Sequence, residues 1–164
     1  MTSFDATDQA DAARFLTRNL PRHGLFALAT VCEDGQPWNV CLNLTWDHGL
    51  GIIWKSRADS LHSRNVRRDG RVGICVFSSL IGEGDFALYM TAEAREVTDP
   101  DELRALLHLR YTVKSQTPPE LGAFLGSSPD RLYLARPSDA YLSDDRHAKL
   151  KLDLEVVRLA FKQA

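Results

Sequence analysis

The sequence predicts an α+β protein built on an antiparallel β-barrel, and three observations carry that reading. Apolar, strand-like runs follow one another through Asp-Gly and Gly-rich turns. Helical periodicity is confined to a few short stretches between them. No alternation of strand and crossover helix appears, which removes the parallel α/β folds.

The first element is a helix, because Ala12, Phe15, Leu16 and Leu20 recur at helical spacing and Pro21 with Gly24 closes it. Leu25 to Cys32 then reads as a strand, and Trp38 to Trp46 as its hairpin partner across Asp34-Gly35. The turn Asp47-His48-Gly49 leads into a third strand, Leu50 to Lys55, completing a meander. Asp59 or Ser60 caps a short helix that stops at Asp69-Gly70. Arg71 to Ser78 is the next strand, and Gly82-Glu83-Gly84-Asp85 turns it into a long strand from Phe86 to about Val97.

Asp99-Pro100-Asp101-Glu102 has the order of a helix start: a capping aspartate, then proline, then glutamate in the first turn. Leu103, Leu106, Leu107 and Arg110 form one face of that helix. Thr117-Pro118-Pro119-Glu120 opens a shorter one ending near Gly126. Strands are expected again at Leu132 to Ala135 and Ala140 to Leu142. In the tail, Leu150, Leu152, Leu154 and Val156 alternate with Lys151, Asp153 and Glu155, which is strand period. The expected organisation is one domain over 1–164: a helix in 1–24, a meander with a short basic helix in 25–97, a helical excursion in 98–130 and closing strands in 131–164.

With 164 residues the chain is long enough for one real core. Its 44% apolar and 26% charged residues are ordinary for a soluble globular protein. A formal net charge of −2 argues against a general nucleic-acid or anionic-membrane binder. No apolar run approaches the roughly 20 residues that span a bilayer, and the acidic start MTSFDATDQADAARF lacks the order of a signal peptide, so a cytoplasmic protein is expected. Cys32, Cys41 and Cys75 show no ligand spacing and lie in apolar runs, where a free thiol acts as a small hydrophobe.

The densest chemistry lies after the third strand. Lys55, Arg57, His62, Arg64, Arg67 and Arg68 are interleaved with Ser56, Ser60 and Ser63. Such a run is most simply the solvated face of a helix. It also contains what a phosphate monoester needs: cations, hydroxyls and the free N–H groups of a helix start.

The order of these pieces resembles the pyridoxamine 5′-phosphate oxidase-like split-barrel flavoproteins. The residues that carry the resemblance are Ala29-Thr30-Val31, the Asp-Gly turn, Pro37-Trp38-Asn39, Lys55-Ser56, Ser60 with His62 and Asn65, and Asp69-Gly70-Arg71-Val72. It covers residues 20 to 97 best; Arg131-Leu132-Tyr133 and Tyr141-Leu142 resemble the later strands. The resemblance implies an antiparallel split β-barrel with peripheral helices, and a homodimer with FMN in the clefts between subunits. By position, Lys55, Ser56, Ser60 and His62 would hold the phosphate, with Leu61 supplying backbone, while Trp38, Asn39 and Val40 would run beside the flavin. Trp38, Trp46 and Trp54 are all good strand residues that core packing alone can explain; Trp46 reads as core, and Trp38, next to Asn39 after a turn, as part of the site.

There are departures too. Family members often carry Arg or Lys where Leu61 stands and lysine at the His62 position. A flavin-contacting glutamine is replaced near Ala87, and Arg146-His147 is adjacent where the oxidases have a spaced Arg-x-His. Oxidation of vitamin B6 is therefore not expected. The resemblance implies an FMN-dependent oxidoreductase for a small organic substrate, with a flavin binder that does not turn over, or a haem or deazaflavin binder on the same fold, as the alternatives. No dinucleotide fingerprint is present, since Gly49-Leu50-Gly51 and Gly82-Glu83-Gly84 lack the spacing, although transient use of a nicotinamide donor is compatible with this. No separate carboxylate pair, Ser–His–Asp set or HExxH motif stands out, and no metal is expected.

Overall fold

The computed structural model describes residues 6–78, 86–143 and 149–163. Helix α1 (Ala6–Asn19) leads into β1 (His23–Val31), β2 (Pro37–Trp46) and β3 (Ile52–Arg57); α2 (Leu61–Arg68) and β4 (Arg71–Ser78) follow. Then come β5 (Phe86–Glu96), α3 (Pro100–Thr112), β6 (Asp130–Ser143), β7 (Leu150–Lys151) and α4 (Leu154–Gln163). The strands form one antiparallel sheet in the order β3-β2-β1-β4-β5-β6-β7, and β3 also pairs with β6. That extra pairing closes six strands into a barrel, the split-barrel α+β architecture expected from the sequence.

The β1–β2 hairpin needs its Asp-Gly. Gly35 has φ +85°, and the Asp34 carboxylate accepts from the Gln36 amide at 3.0 Å. The second turn is longer than its sequence suggests. Asp47 accepts from the amides of Gly49 and Gly51, so Leu50 and Gly51 stay in the turn and β3 starts at Ile52. The Asp99 carboxylate caps α3 by accepting from Asp101 and Glu102.

Strand alternation sorts two cores. Phe26, Leu28, Leu44, Ile52, Trp54, Ile74, Leu88, Met90 and Tyr133 fill the barrel. Ile53, Leu132 and Leu134, on the opposite face of β3 and β6, pack under Leu103, Leu106 and Leu107 of α3 and under Phe124. Arg110 completes that helix face as a buried polar anchor, donating to Thr45 Oγ1 at 3.2 Å and the Ile53 carbonyl at 3.1 Å. Across β1, β2, β4 and β5 the outward face carries Leu25 (66% exposed), Phe77 (60%) and Tyr89 (44%), with no described element over it.

Three expectations are corrected. The two late strands are one 14-residue strand, β6, which absorbs Pro137 at an irregularity opposite Thr91 and Ala92. The segment after Thr117-Pro118-Pro119-Glu120 makes a 3-10 turn, Leu121–Ala123, rather than a helix reaching Gly126. The tail is not a strand through Val156: pairing ends at Lys151, and α4 begins at Leu154. Asp153 stops the strand by accepting from the amides of Glu155 and Val156. Gln9 of α1 locks the junction from both sides, donating to the Lys151 carbonyl and accepting from the Asp153 amide. Beyond that point Val157 and Phe161 recur at helical spacing and are buried.

The cysteines also differ from expectation. Cys41 and Cys75 face outward on either side of Ala27, Cys41 exposed and Cys75 half-buried, and Cys32 lies beyond the end of β1. Strand parity, which a short apolar run does not reveal, sets this. The turn expected at Gly82-Glu83-Gly84-Asp85 and the Arg146-His147 pair lie outside the described residues.

The tail helix is anchored by Phe161, whose ring lies 6.3 Å from Trp46. Phe161→Ala should lower the free energy of unfolding by about 3 kcal/mol or more in a urea titration. A loss under about 1 kcal/mol would mean that α4 adds little to the core.

Candidate functional site

One end of the barrel gathers the end of β1, the start of β2, the end of β3, the starts of β4 and β6 and the end of β5. Helix α2 lies across this end and sends Val66 into the core. The barrel is also open here. β2 meets β3 only at Thr45 and Trp46, while β3 continues alone alongside β6 through Arg57. From Pro37 to Leu44, β2 therefore has β1 on one side and no strand on the other among the described residues. One lip carries Trp38, Asn39 and Val40, the other Lys55 and Ser56, and Ser60, Leu61 and His62 lie at the mouth.

The structure thus brings the expected site residues to one opening, but their side chains serve different ends. Alternation turns Trp38 and Val40 to the barrel side of β2; Val40 packs on the core and Trp38, at the rim, is 42% exposed. Asn39 points outward into a shallow depression with Ala27, Ala29, Gly73 and Tyr89. Ser56 shares the inward parity of Ile52 and Trp54 and is buried, while Lys55 points out and pairs with Asp130 at 2.9 Å.

Ser60 is the N-cap of α2 and its hydroxyl accepts from the Ser63 amide. The imidazole of His62 turns under the helix, where Nε2 lies 2.7 Å from Ser56 Oγ and 3.1 Å from Ser60 Oγ. Burial holds this imidazole below its ordinary pKa of 6.5, so near neutral pH it is an uncharged hydrogen-bonding partner rather than a fixed cation. Leu61 faces the other way, into a cleft beside the β1–β2 hairpin.

The hydroxyl cluster continues inward, which the sequence alone did not suggest. Ser60 Oγ lies 2.8 Å from Ser63 Oγ, and Ser63 bonds the hydroxyl of Tyr133, whose pKa burial raises. Arg67 donates to the same hydroxyl at 3.1 Å and pairs with Glu96 at 3.2 Å; Arg131 also pairs with Glu96, at 2.9 Å. Asn65 donates to Thr30 Oγ1 at 3.0 Å, tying α2 to β1. A helical wheel of residues 61–68 would have separated these inward roles from the outward arginines. Nothing in the sequence pairs Tyr133 or Glu96 with α2.

This donor set suits a phosphate monoester. The amides of Leu61 and His62 are the first of α2, and the Ser56 and Ser60 hydroxyls lie beside them. Among the described residues no group of three or more His, Cys, Asp or Glu side chains gathers as a metal site, and no helix is long and apolar enough to cross a membrane.

Residues 13–133 match the family described as pyridoxamine 5′-phosphate oxidase. No curated protein matches the chain. Three solved structures show the same fold at low identity. A haem-binding protein from Mycobacterium smegmatis aligns with TM-score 0.69 and 16% identity; 97% of this chain is covered, and this chain spans 62% of that one. An FAD-binding protein from Mesorhizobium loti aligns with TM-score 0.59 and 16% identity over 86% of this chain and 95% of its own. A pyridoxamine 5′-phosphate oxidase-related, FMN-binding protein from Nostoc punctiforme aligns with TM-score 0.58 and 15% identity over 88% of this chain and 87% of its own. The profile match spans well over half of the sequence and the barrel has the matching architecture, so the chain belongs to the pyridoxamine 5′-phosphate oxidase family.

Proposed function

We propose that the protein binds FMN in the split between β2 and β3 and acts, as a homodimer, as an FMN-dependent oxidoreductase on a small organic substrate. The observation that carries this reading is the split itself. It leaves the backbone of Trp38, Asn39 and Val40 without a strand neighbour on one side, and it puts hydroxyls and the first amides of α2 at the same opening. Backbone groups on an unpaired strand edge offer hydrogen bonds to the polar rim of a flat ring. Ser56, Ser60 and the amides of Leu61 and His62 take the phosphate. When bound, flavin supplies the hydride or electron chemistry, while the chain binds it, orients it and limits water.

Two features adapt this general plan. Lys55 and Arg57 are drawn to Asp130 and Asp59, so the phosphate relies on neutral donors more than on charge. A bound anion would raise the His62 pKa, which couples phosphate binding to proton uptake and favours it at lower pH. The bare outward face around Leu25, Phe77 and Tyr89 is the surface that a second copy would cover. Haem is less well served. The neighbour that binds it raises the question, but His62 Nε2 is already engaged by two serine hydroxyls and offers no ready axial bond.

Anaerobic titration of the apo-protein with FMN, followed by NADPH, tests the reading. Binding with bleaching of the flavin band is expected of a reductase; binding without bleaching by NADPH or by any screened substrate would make this a carrier, and no binding removes the assignment. Ser60→Ala combined with His62→Gln should lose bound flavin while unfolding remains cooperative; unchanged retention would move the phosphate elsewhere. Light scattering at micromolar protein should report a dimer, and a clean monomer would remove the homodimer from this reading.

The buried imidazole also gives a stability test. The folded pKa lies below 6.5, so the unfolded chain takes up the proton first as pH falls. The stability conferred by the neutral ring is whole above that value and lost below it. The melting temperature should therefore drop as pH is lowered through about 6, and His62→Gln should remove that part of the drop. Identical pH profiles would mean that the ring is not held neutral by burial.

A further inference from the structure

Six cations lie on or beside α2, and four of them have carboxylate partners. Lys55 pairs with Asp130, Arg57 with Asp59, Arg67 with Glu96 and Arg71 with Asp69. Arg64 and Arg68 do not follow that pattern. Their described hydrogen bonds go to backbone carbonyls, Arg64 to that of Asp59 and Arg68 to that of Val31. Such bonds fix a guanidinium without neutralising it. The carboxylates on the helix flanks are forked by other arginines, Asp59 by Arg57 and Asp69 by Arg71, and act on Arg64 and Arg68 through charge alone, without an ion pair.

Both arginines line the same opening. One helical turn apart, they face the β1–β2 hairpin across a cleft of about 630 Å³, against 240 and 260 Å³ for two other surface clefts. That volume lies in the range of small-molecule sites. Glu33 and Asp34 stand on the hairpin wall, and Leu61 and Cys32 supply apolar surface between the two walls. A simple anion would meet two cations and two opposing carboxylates here. A ligand with an anionic end and a hydroxyl- or amine-bearing end would meet a match for each.

We propose that this cleft is a second binding site, for a nucleoside 5′-phosphate. Arg64 and Arg68 take the phosphate, Glu33 and Asp34 accept from sugar hydroxyls or a base amine, and Leu61 with Cys32 packs against the remainder. The nucleotide arrives either free or as the adenylate half of a dinucleotide flavin. Leu61 borders both this cleft and the mouth of the split, so the two sites are adjacent. In the second form the proposal rests on the flavin reading; in the first it stands without it.

Calorimetric titration with AMP, adenosine, FMN and FAD, using the full chain and the Arg64→Gln/Arg68→Gln variant, decides the matter. Both side chains are exposed, and the variant should keep the wild-type melting curve within a few degrees. For a free nucleotide, AMP should bind at least about tenfold more tightly than adenosine, and the variant should lose that margin. For a dinucleotide flavin, FAD should bind more tightly than FMN by a margin that the variant abolishes. In either case FMN affinity should change less than about twofold. AMP no better than adenosine together with FAD no better than FMN would overturn the proposal. So would FMN affinity falling in the variant, which would put the flavin's own phosphate on these arginines. Failure of FMN to bind the wild type, with AMP binding intact, would sink the flavin reading and leave the cleft standing.

Discussion

Six residue pairs join Ile52–Arg57 to Asp130–Ala135 and turn a curled sheet into a barrel. At the middle of this ladder Trp54 sits opposite Tyr133, their rings stacked 5.5 Å apart with 15° between planes. Strand parity then fixes everything nearby. With Trp54 inside, Ile53 must lie outside under α3, and Ser56 must face inward beneath α2. A one-residue slip would exchange the two faces, sending Ile53 into the barrel and leaving α3 to pack on Trp54.

The same ladder explains why the opening lies where it does. β3 has one partner for most of its length, and that partner is β6, so β2 is left behind beyond Thr45. Closure on one side of β3 is thus also the opening on the other. Helix α2 sits at this opening because its inward face can be satisfied there by Tyr133, Thr30 and Ser56. These groups meet Ser63, Asn65 and His62 one for one. The polar core of the site is paired internally, which keeps its hydroxyls in fixed positions.

Most strands were legible because they are bounded by turn residues with their own chemistry. Asp34-Gly35 and Asp99-Pro100 act through local hydrogen bonds and allowed backbone angles, so a single sequence reveals them. The tail is not legible in this way, because Leu150 to Val156 alternates over too few residues to distinguish a two-residue strand, a cap and a helix start. What decides it, Gln9 bonding both sides of the junction, comes from the other end of the chain. The candidate site was legible as a set of residues but not as a division of labour. Ser56, Ser60 and His62 do converge, yet the imidazole is neutral and buried, and the arginines with no carboxylate ion pair among the described residues face a different cleft. Pairings with Asp130, Glu96 and Tyr133 decide which cations remain, and those depend on contacts far apart in sequence.

The three tryptophans occupy unlike surroundings, and that gives the molecule an optical signature. Trp46 and Trp54 are sealed in the core with indole nitrogens that meet no hydrogen-bond partner among the described residues, so their emission lies towards the blue. Trp54 also lies against a tyrosine ring, which can pass excitation to it. Trp38, half in water at the lip of the split, emits further to the red and is the indole that an external quencher reaches. The red edge of the protein's ultraviolet fluorescence therefore reports on the rim of one cleft, with no label added, while the blue edge reports on whether the barrel is intact.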